Sequence, residues 1–323
     1  MNILPSIDKS VVDYSQFTRK KMNLTYAEQS SSQKLDIVYP DQGSGPFPLI
    51  IFVHGGGFVG GSKDEFTIAF IFKLISQGYA VASVEYRLAL EAPWPAQIYD
   101  VKAAVRWLRA NGKELELSTE KVLMCGNSAG ATLTQLTAAT GGKELLEDLS
   151  MGNAEQSCKV DAIISWYGLG SFEMELSTSQ GITHAEYARI TNIQEECLDG
   201  YPELLDSASL LLRKPAREHM DEVKAMSPLN YVDRNFPYAL FQHGTADTVL
   251  DYRQSIVMAG KICSHCGAER AEVDLFPGAV HGDPRIKADE NMQRCLRFIK
   301  TYLPGGYPGE FPMPEIRLTR KQD

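Results

Sequence analysis

Six short apolar, β-rich runs separated by longer stretches of helical pattern constrain this chain more than any other feature. They read LIIFVHG at 49–55, YAVASVEYR at 79–87, KVLMCG at 121–126, DAIISWYG at 161–168, YALFQHG at 238–244 and AEVDLFPG at 271–278. Continuous apolar runs of that length are strands covered on both faces, so the segments between them must supply the cover. The clearest of those segments is 96–110, where Ile98, Val101, Val105 and Leu108 recur at helical spacing and Asn111-Gly112 follows as a stop. Strand and helix in alternation pair in parallel through right-handed crossovers, which predicts the α/β class.

An earlier pair, MNLTYAEQ at 22–29 and LDIVYP at 35–40, is joined by a short Ser-rich link and predicts an antiparallel hairpin at one sheet edge. The expectation is a central, mostly parallel sheet of about eight strands with helices on both faces, in a single domain over 1–323. The alternation breaks once, over 171–227, in a polar stretch containing EYARITNIQEECL and PELLDSASLLLRKPAREHM. That is too long for a plain connection and predicts a helical lid or cap, with a decoration away from any site as the alternative. The end, 304–323, is rich in Pro and Gly and reads as an extended surface tail.

Composition narrows the partners. A chain of 323 residues with 44% hydrophobic and 23% charged content is ordinary for a globular protein. Its net charge of −9 lacks the basic stripe that a nucleic acid requires, which leaves a neutral or weakly charged small molecule as the expected partner. The opening MNILPSIDKSVVDYSQFTRKK has no secretory pattern and no stretch is apolar enough to span a bilayer, so a cytoplasmic location is expected. Oligomeric state stays open between monomer and homodimer. Six scattered cysteines read as reduced thiols, and Cys263-Ser264-His265-Cys266 lacks the second ligand pair of a structural zinc site, so no metal is expected.

The chemistry gathers around VLMCGNSAGA at 122–131. Ser128 has a plain reading as a helix N-cap and a sharper one as the serine of G-x-S-x-G in Gly126-Asn127-Ser128-Ala129-Gly130, a tight turn from strand to helix that exposes one nucleophile. A serine used that way needs a base, an acid and donors for an oxyanion, all at carboxyl ends of strands. His281, in a glycine-flanked loop after AEVDLF, supplies a base; Asp247, three residues past YALFQHG, supplies the acid that fixes its tautomer. Taken singly each fits a turn or a polar surface, and their weight is joint: Ser128, Asp247 and His281 each follow a separately read strand. The turn His54-Gly55-Gly56-Gly57-Phe58 offers backbone N–H groups unobstructed by side chains; a P-loop reading fails because Gly61-Ser62-Lys63 is in the wrong order.

The set HGGGF at 54–58, VEYRLALEAPWPAQIYDVKAAVRWLR at 84–109, GNSAG at 126–130, HGTADTVL at 243–250 and PGAVHG at 277–282 resembles α/β-hydrolases of the carboxylesterase type. It is most similar to bacterial esterases related to hormone-sensitive lipase and to feruloyl or acetyl-xylan esterases. The resemblance covers about 22 to 303 and implies a cofactor-free serine esterase acting through an acyl-enzyme; the expected substrates are short-chain acyl esters, acetyl among them, including acetylated or feruloylated sugars. By it, Gly56, Gly57 and Ala129 form the oxyanion hole, and Arg87 and Asp100 support the fold near the site. Phe58, Trp166 and Tyr167 are candidate pocket residues, Trp166 fitting core packing equally well. Two alternatives remain: a peptidase or amidase on the same fold, and a silent binding protein, against which the complete Ser, Asp and His set argues. The segment 171–227 is longer than the feruloyl-esterase-like pattern leads one to expect, and Cys125 and Asn127 fill variable positions of the turn.

Overall fold

The computed structural model describes residues 10–191, 194–308 and 312–320. Its strands are β1 (Ser10–Val12), β2 (Lys20–Thr25), β3 (Lys34–Val38), β4 (Phe47–Val53), β5 (Ala80–Val84), β6 (Leu117–Asn127), β7 (Ala162–Trp166), β8 (Ile182–Thr183), β9 (Leu204–Leu205), β10 (Tyr238–Gly244), β11 (Ala271–Phe276) and β12 (Leu318–Arg320). Eight of them form one sheet in the order β11-β10-β7-β6-β4-β5-β3-β2. From β11 to β5 every neighbour is parallel, and β3 runs antiparallel to both β5 and β2. The expected hairpin is therefore β2 and β3, at one edge.

Alternation of side chains along each strand divides the core in two. On β4, Leu49, Ile51 and Val53 face one layer, where Ile98, Val101 and Leu136 come from the helices Ala96–Ala110 and Ala129–Thr140. Ile50 and Phe52 face the other, with Phe72 and with Met292, Leu296 and Ile299 of the helix Asp289–Tyr302. Because both layers are apolar, β4, β5 and β7 are buried at every position, as their unbroken hydrophobic runs require. Each such Leu, Ile or Phe contributes roughly 1.5–3 kcal/mol by leaving water.

The 171–227 segment carries the helices Phe172–Thr178, His184–Thr191, Ser207–Leu212 and Met220–Met226 and the two-residue ladder of β8 with β9. It packs over the chain that follows β4 and β5: Tyr201 and Arg213 donate to the carbonyl of Ala89, and Trp94 N–H to that of Leu211. Beyond residue 303, Tyr307 bonds Gln77 and Gln42, and β12 pairs antiparallel with β1, Ser10 opposite Arg320. The remainder of the expected tail, 309–311 and 321–323, lies outside the described residues, as does 1–9. Among the described residues, no helix is long and apolar enough to cross a membrane.

Candidate active site

At the end of β6 the chain reverses within one residue. Ser128 adopts φ 52° and ψ −121°, a region L-residues avoid, and the helix Ala129–Thr140 starts directly after it. Its N–H donates to the Trp166 carbonyl at the end of β7, 2.9 Å away, which ties the turn to the neighbouring strand. The helix then passes so close to β4 that a Cβ on Gly130 would lie 2.1 Å from the carbonyl oxygen of Val53, so only glycine fits there. Ser128 occupies the N-cap position, yet its side chain caps no backbone N–H. Its Oγ lies instead 3.1 Å from Nε2 of His281.

His281 reaches the serine from the loop after β11, its ring edge-on to Tyr167 at 4.7 Å. Its Nδ1 is 2.7 Å from Oδ2 of Asp247, in the turn after β10. Because a carboxylate only accepts, Nδ1 carries the hydrogen and Nε2 presents its lone pair to the hydroxyl of Ser128. The other oxygen of Asp247 accepts the N–H groups of Val249 and Leu250, each at 2.9 Å, which fixes the carboxylate plane. Burial opposes ionisation of this carboxyl, but hydrogen bonds from His243 and His281, the attraction of His281 in its protonated form and the Leu250 N–H outweigh it and hold its pKa well below the usual range. Asp251 and Asp283, the nearest other carboxylates in sequence, are engaged by Arg253 and Arg285.

The glycine turn after β4 lies against this serine: a Cβ on Gly55 would sit 2.9 Å from the Asn127 carbonyl oxygen and 3.3 Å from Ser128 Cβ. Its carbonyls are held. That of Gly55 accepts from His54 Nδ1 at 2.9 Å, that of Gly56 from the N–H groups of Val59 and Gly60, and that of Gly57 from the Tyr187 hydroxyl at 3.1 Å. In a trans peptide the N–H points opposite to the carbonyl, so pinning the carbonyls of Gly55 and Gly56 sets the directions of the Gly56 and Gly57 N–H groups.

Of the three candidate pocket residues, Tyr167 alone is seen against the triad. It has φ 43°, sits one residue past β7, and its N–H donates to the Gln242 carbonyl. Trp166 is corrected to a core residue: it is 1% exposed, its indole N–H donates to Gln242 Oε1, and its ring meets Phe70 edge-on. Tyr167, 3% exposed, is buried in the same layer as Trp166, and the chain turns there with positive φ as the strand ends. Phe58 is likewise buried, in the layer that holds Tyr86 and Ile98. Arg87 clasps Asp100 through Nε and Nη2, and Gln33 donates to the same carboxylate. Cys263 and Cys266 do not converge: their thiols point to the carbonyls of Ala268 and Asp233.

Three residues were not singled out for the site from sequence. His243 is fully buried, with Nδ1 2.8 Å from Ser255 Oγ and Nε2 2.9 Å from the Leu250 carbonyl and 3.3 Å from Asp247 Oδ2. Its four-residue spacing from Asp247 was the available signal. Glu85, paired with His54, could have been noticed as a charge ending an apolar strand. Tyr187, inside the long insertion, carried no signal.

A family model, BD-FAE, matches residues 35–262. The chain is 29% identical over 243 residues to Esterase LipC of Mycobacterium tuberculosis, covering 75% of this chain and 54% of that protein. It is 30% identical over 263 residues to an acetyl esterase of Salmonella schwarzengrund, covering 78% and 71%. Among solved structures, a truncated carbohydrate esterase from gut microbiota superposes with TM-score 0.75 at 25% identity, over 91% of this chain and all of that one. The bifunctional GH43-CE protein of Bacteroides eggerthii gives TM-score 0.74 at 26% identity, over 88% of this chain and 35% of that one. The chain thus spans about half the length of the mycobacterial relative. With the sheet order, the turn after β6 and the family match in agreement, the chain belongs to the BD-FAE family and is built on the α/β-hydrolase fold.

Proposed function

We propose that this chain is a serine carboxylic-ester hydrolase that works through an acyl-enzyme on short-chain acyl esters, acetylated sugars foremost. The observation that carries the reading is the continuous line from Ser128 Oγ to His281 to Asp247, beginning at a strained serine that abuts the glycine turn. Ser128 Oγ bonds to the ester carbonyl carbon as its proton passes to His281 Nε2, and the carbonyl electron pair moves onto oxygen. The N–H groups of Gly56, Gly57 and Ala129 hold that oxyanion, each donor contributing about 10² to 10³ in rate. The tetrahedral species collapses, the alcohol leaves with the proton from His281, water attacks the acyl carbon with His281 again as base, and the second tetrahedral species breaks its bond to Ser128 Oγ, which takes the proton back from His281 as the carboxylic acid departs. Asp247 stays ionised throughout and stabilises the imidazolium.

The acetyl and sugar part of the proposal is supported by the names of the Salmonella acetyl esterase and the gut carbohydrate esterase. The 171–227 insertion, lying over the chain after β4 and touching Gly57 through Tyr187, is proposed as a cover over the acyl site. A fluorophosphonate probe should label the native protein and leave Ser128→Ala unlabelled; equal labelling of both would overturn the mechanism. With p-nitrophenyl esters of increasing chain length run beside acetylated xylo-oligosaccharides, kcat/KM should peak at the short acyl groups. A maximum at long chains would overturn the short-chain assignment, and faster cleavage of an anilide than of the matching ester would make the enzyme an amidase.

A further inference from the structure

We infer that His54 is a buried imidazolium, a standing positive charge at the root of the glycine turn that positions the oxyanion donors. The inference rests on the hydrolase reading for its consequence, but not for its observation.

His54 is fully buried at the end of β4. Its Nδ1 lies 2.9 Å from the Gly55 carbonyl oxygen and its Nε2 lies 3.0 Å from Glu85 Oε1. A carbonyl oxygen offers no hydrogen and an ionised carboxylate offers none. A neutral imidazole has a single N–H, so one nitrogen of this fully buried ring would turn a lone pair toward an acceptor, at the cost of an unmade hydrogen bond. The doubly protonated ring satisfies both contacts.

The neutral alternative places the proton on Glu85, and the surroundings argue against it. Glu85 Oε2 accepts the backbone N–H of Lys63 at 3.0 Å, a contact that favours the carboxylate. Lys63 also places its ammonium in this region, 2.6 Å from Asp36 on β3. On the other side of the ring, the same vacant Cβ position of Gly61 is 2.6 Å from His54 Nδ1 and 3.1 Å from Glu65 Oε2, so a second carboxylate faces that edge. Tyr86 stacks on the ring face at 4.4 Å and 13°, as a cation favours, and its hydroxyl donates to the His54 carbonyl. Burial opposes the charge on His54, yet Glu85 and Glu65 together raise its pKa above the ordinary value while that of Glu85 is lowered.

The position gives the charge its use. The Nδ1–H that makes the ring cationic is the group that draws back the Gly55 carbonyl, and the trans peptide then sends the Gly56 N–H the other way. One proton therefore sets both the direction of an oxyanion donor and a favourable field behind it. On this account His54 touches no substrate and acts through Gly56.

The test reads the ring directly. In protein carrying ¹⁵N-labelled histidine, with His54 assigned by its missing signals in His54→Gln, both ring nitrogens of His54 should remain protonated at pH 8. An unprotonated ring nitrogen at that pH overturns the inference, and the same spectrum taken on Ser128→Ala gives the answer whatever reaction the protein catalyses. If His54→Gln fails to fold, Glu85→Gln serves for assignment and as the second arm. Removing the counter-charge should bring the His54 titration into the accessible range, and kcat should fall roughly 10- to 100-fold across it with KM little changed. Glu85→Asp should restore the native profile. A Glu85→Gln profile identical to wild type would also overturn the inference. Failure of the fluorophosphonate label would sink the hydrolase reading alone.

Discussion

Asp247 receives two imidazoles, His281 on the side of the serine and His243 from within β10, and their roles differ because their other partners differ. His243 satisfies Ser255 and the Leu250 carbonyl and so braces the turn that presents the carboxylate. Asp247→Asn should keep the fold and lose roughly 10⁴ in kcat, since an amide at this place favours the wrong tautomer of His281; single-turnover acylation beside a circular dichroism spectrum checks it. Ser255→Ala leaves His243 Nδ1 unsatisfied and should cost about 1–3 kcal/mol of stability in chemical unfolding, with a much smaller loss of kcat. Because the Asp247 pKa is depressed on folding, its stabilising contribution is complete above the ordinary aspartate value near 4 and is lost as pH falls through the lowered one. An acid titration of unfolding free energy should accordingly be flatter in Asp247→Asn. Ser128, Asp247 and His281 were readable from sequence because each follows a strand whose apolar run is unmistakable. The fate of neighbouring residues was not: Trp166 and Tyr167 are adjacent in DAIISWYG and buried in one layer, and only the end of β7 at Trp166 and the left-handed turn at Tyr167 bring the second ring against His281.

Elements repeat the contrast. The helix Ala96–Ala110 and the strands were legible because their periodicity reports burial, which the sheet then enforces. The 171–227 insertion was legible only as helix-rich, since contacts between distant loops leave no periodic trace. Among the described residues, it reaches the glycine turn through the hydrogen bond from Tyr187 to Gly57. Tyr187→Phe should lower kcat about fivefold, the worth of roughly 1 kcal/mol, with KM nearly constant in steady-state assays. The insertion also holds a pH-dependent group. Glu175 is pushed up to about 7, chiefly by burial and further by Asp206, against the hydrogen bonds it accepts from Ser207, while its Oε2 has no partner among the described residues. A carboxyl raised on folding stabilises the fold fully below its unfolded value and loses that contribution as pH rises through the folded one. Hydrogen exchange in the helix Phe172–Thr178, corrected for intrinsic rate, should thus quicken between pH 5 and 8 in the native protein and stay level in Glu175→Gln.

For the whole molecule, the sheet order was the hardest part to read and the most consequential. Alternating runs announce a parallel sheet, but which strands are neighbours depends on crossovers between residues far apart in sequence. The closing strap belongs to the same scale: β12 pairs with β1, and Arg317 and Asp13 join them through backbone and side chain. Removing 312–323 should lower the thermal midpoint by roughly 2–4 °C, about 1 kcal/mol for a chain of this size, without altering kcat/KM at 25 °C. In the sheet, β6 with its serine lies between β4, which carries the glycine turn, and β7, β10 and β11, which lead to the acid and the base. On the proposed hydrolase reading, an ester with its carbonyl oxygen at the glycine turn after β4 and its leaving oxygen toward the histidine after β11 would present one prochiral face of its carbonyl to the serine. The strand order thus fixes which face of the carbonyl is attacked, and a preference between mirror-image alcohols is left to the side chains that meet the alcohol.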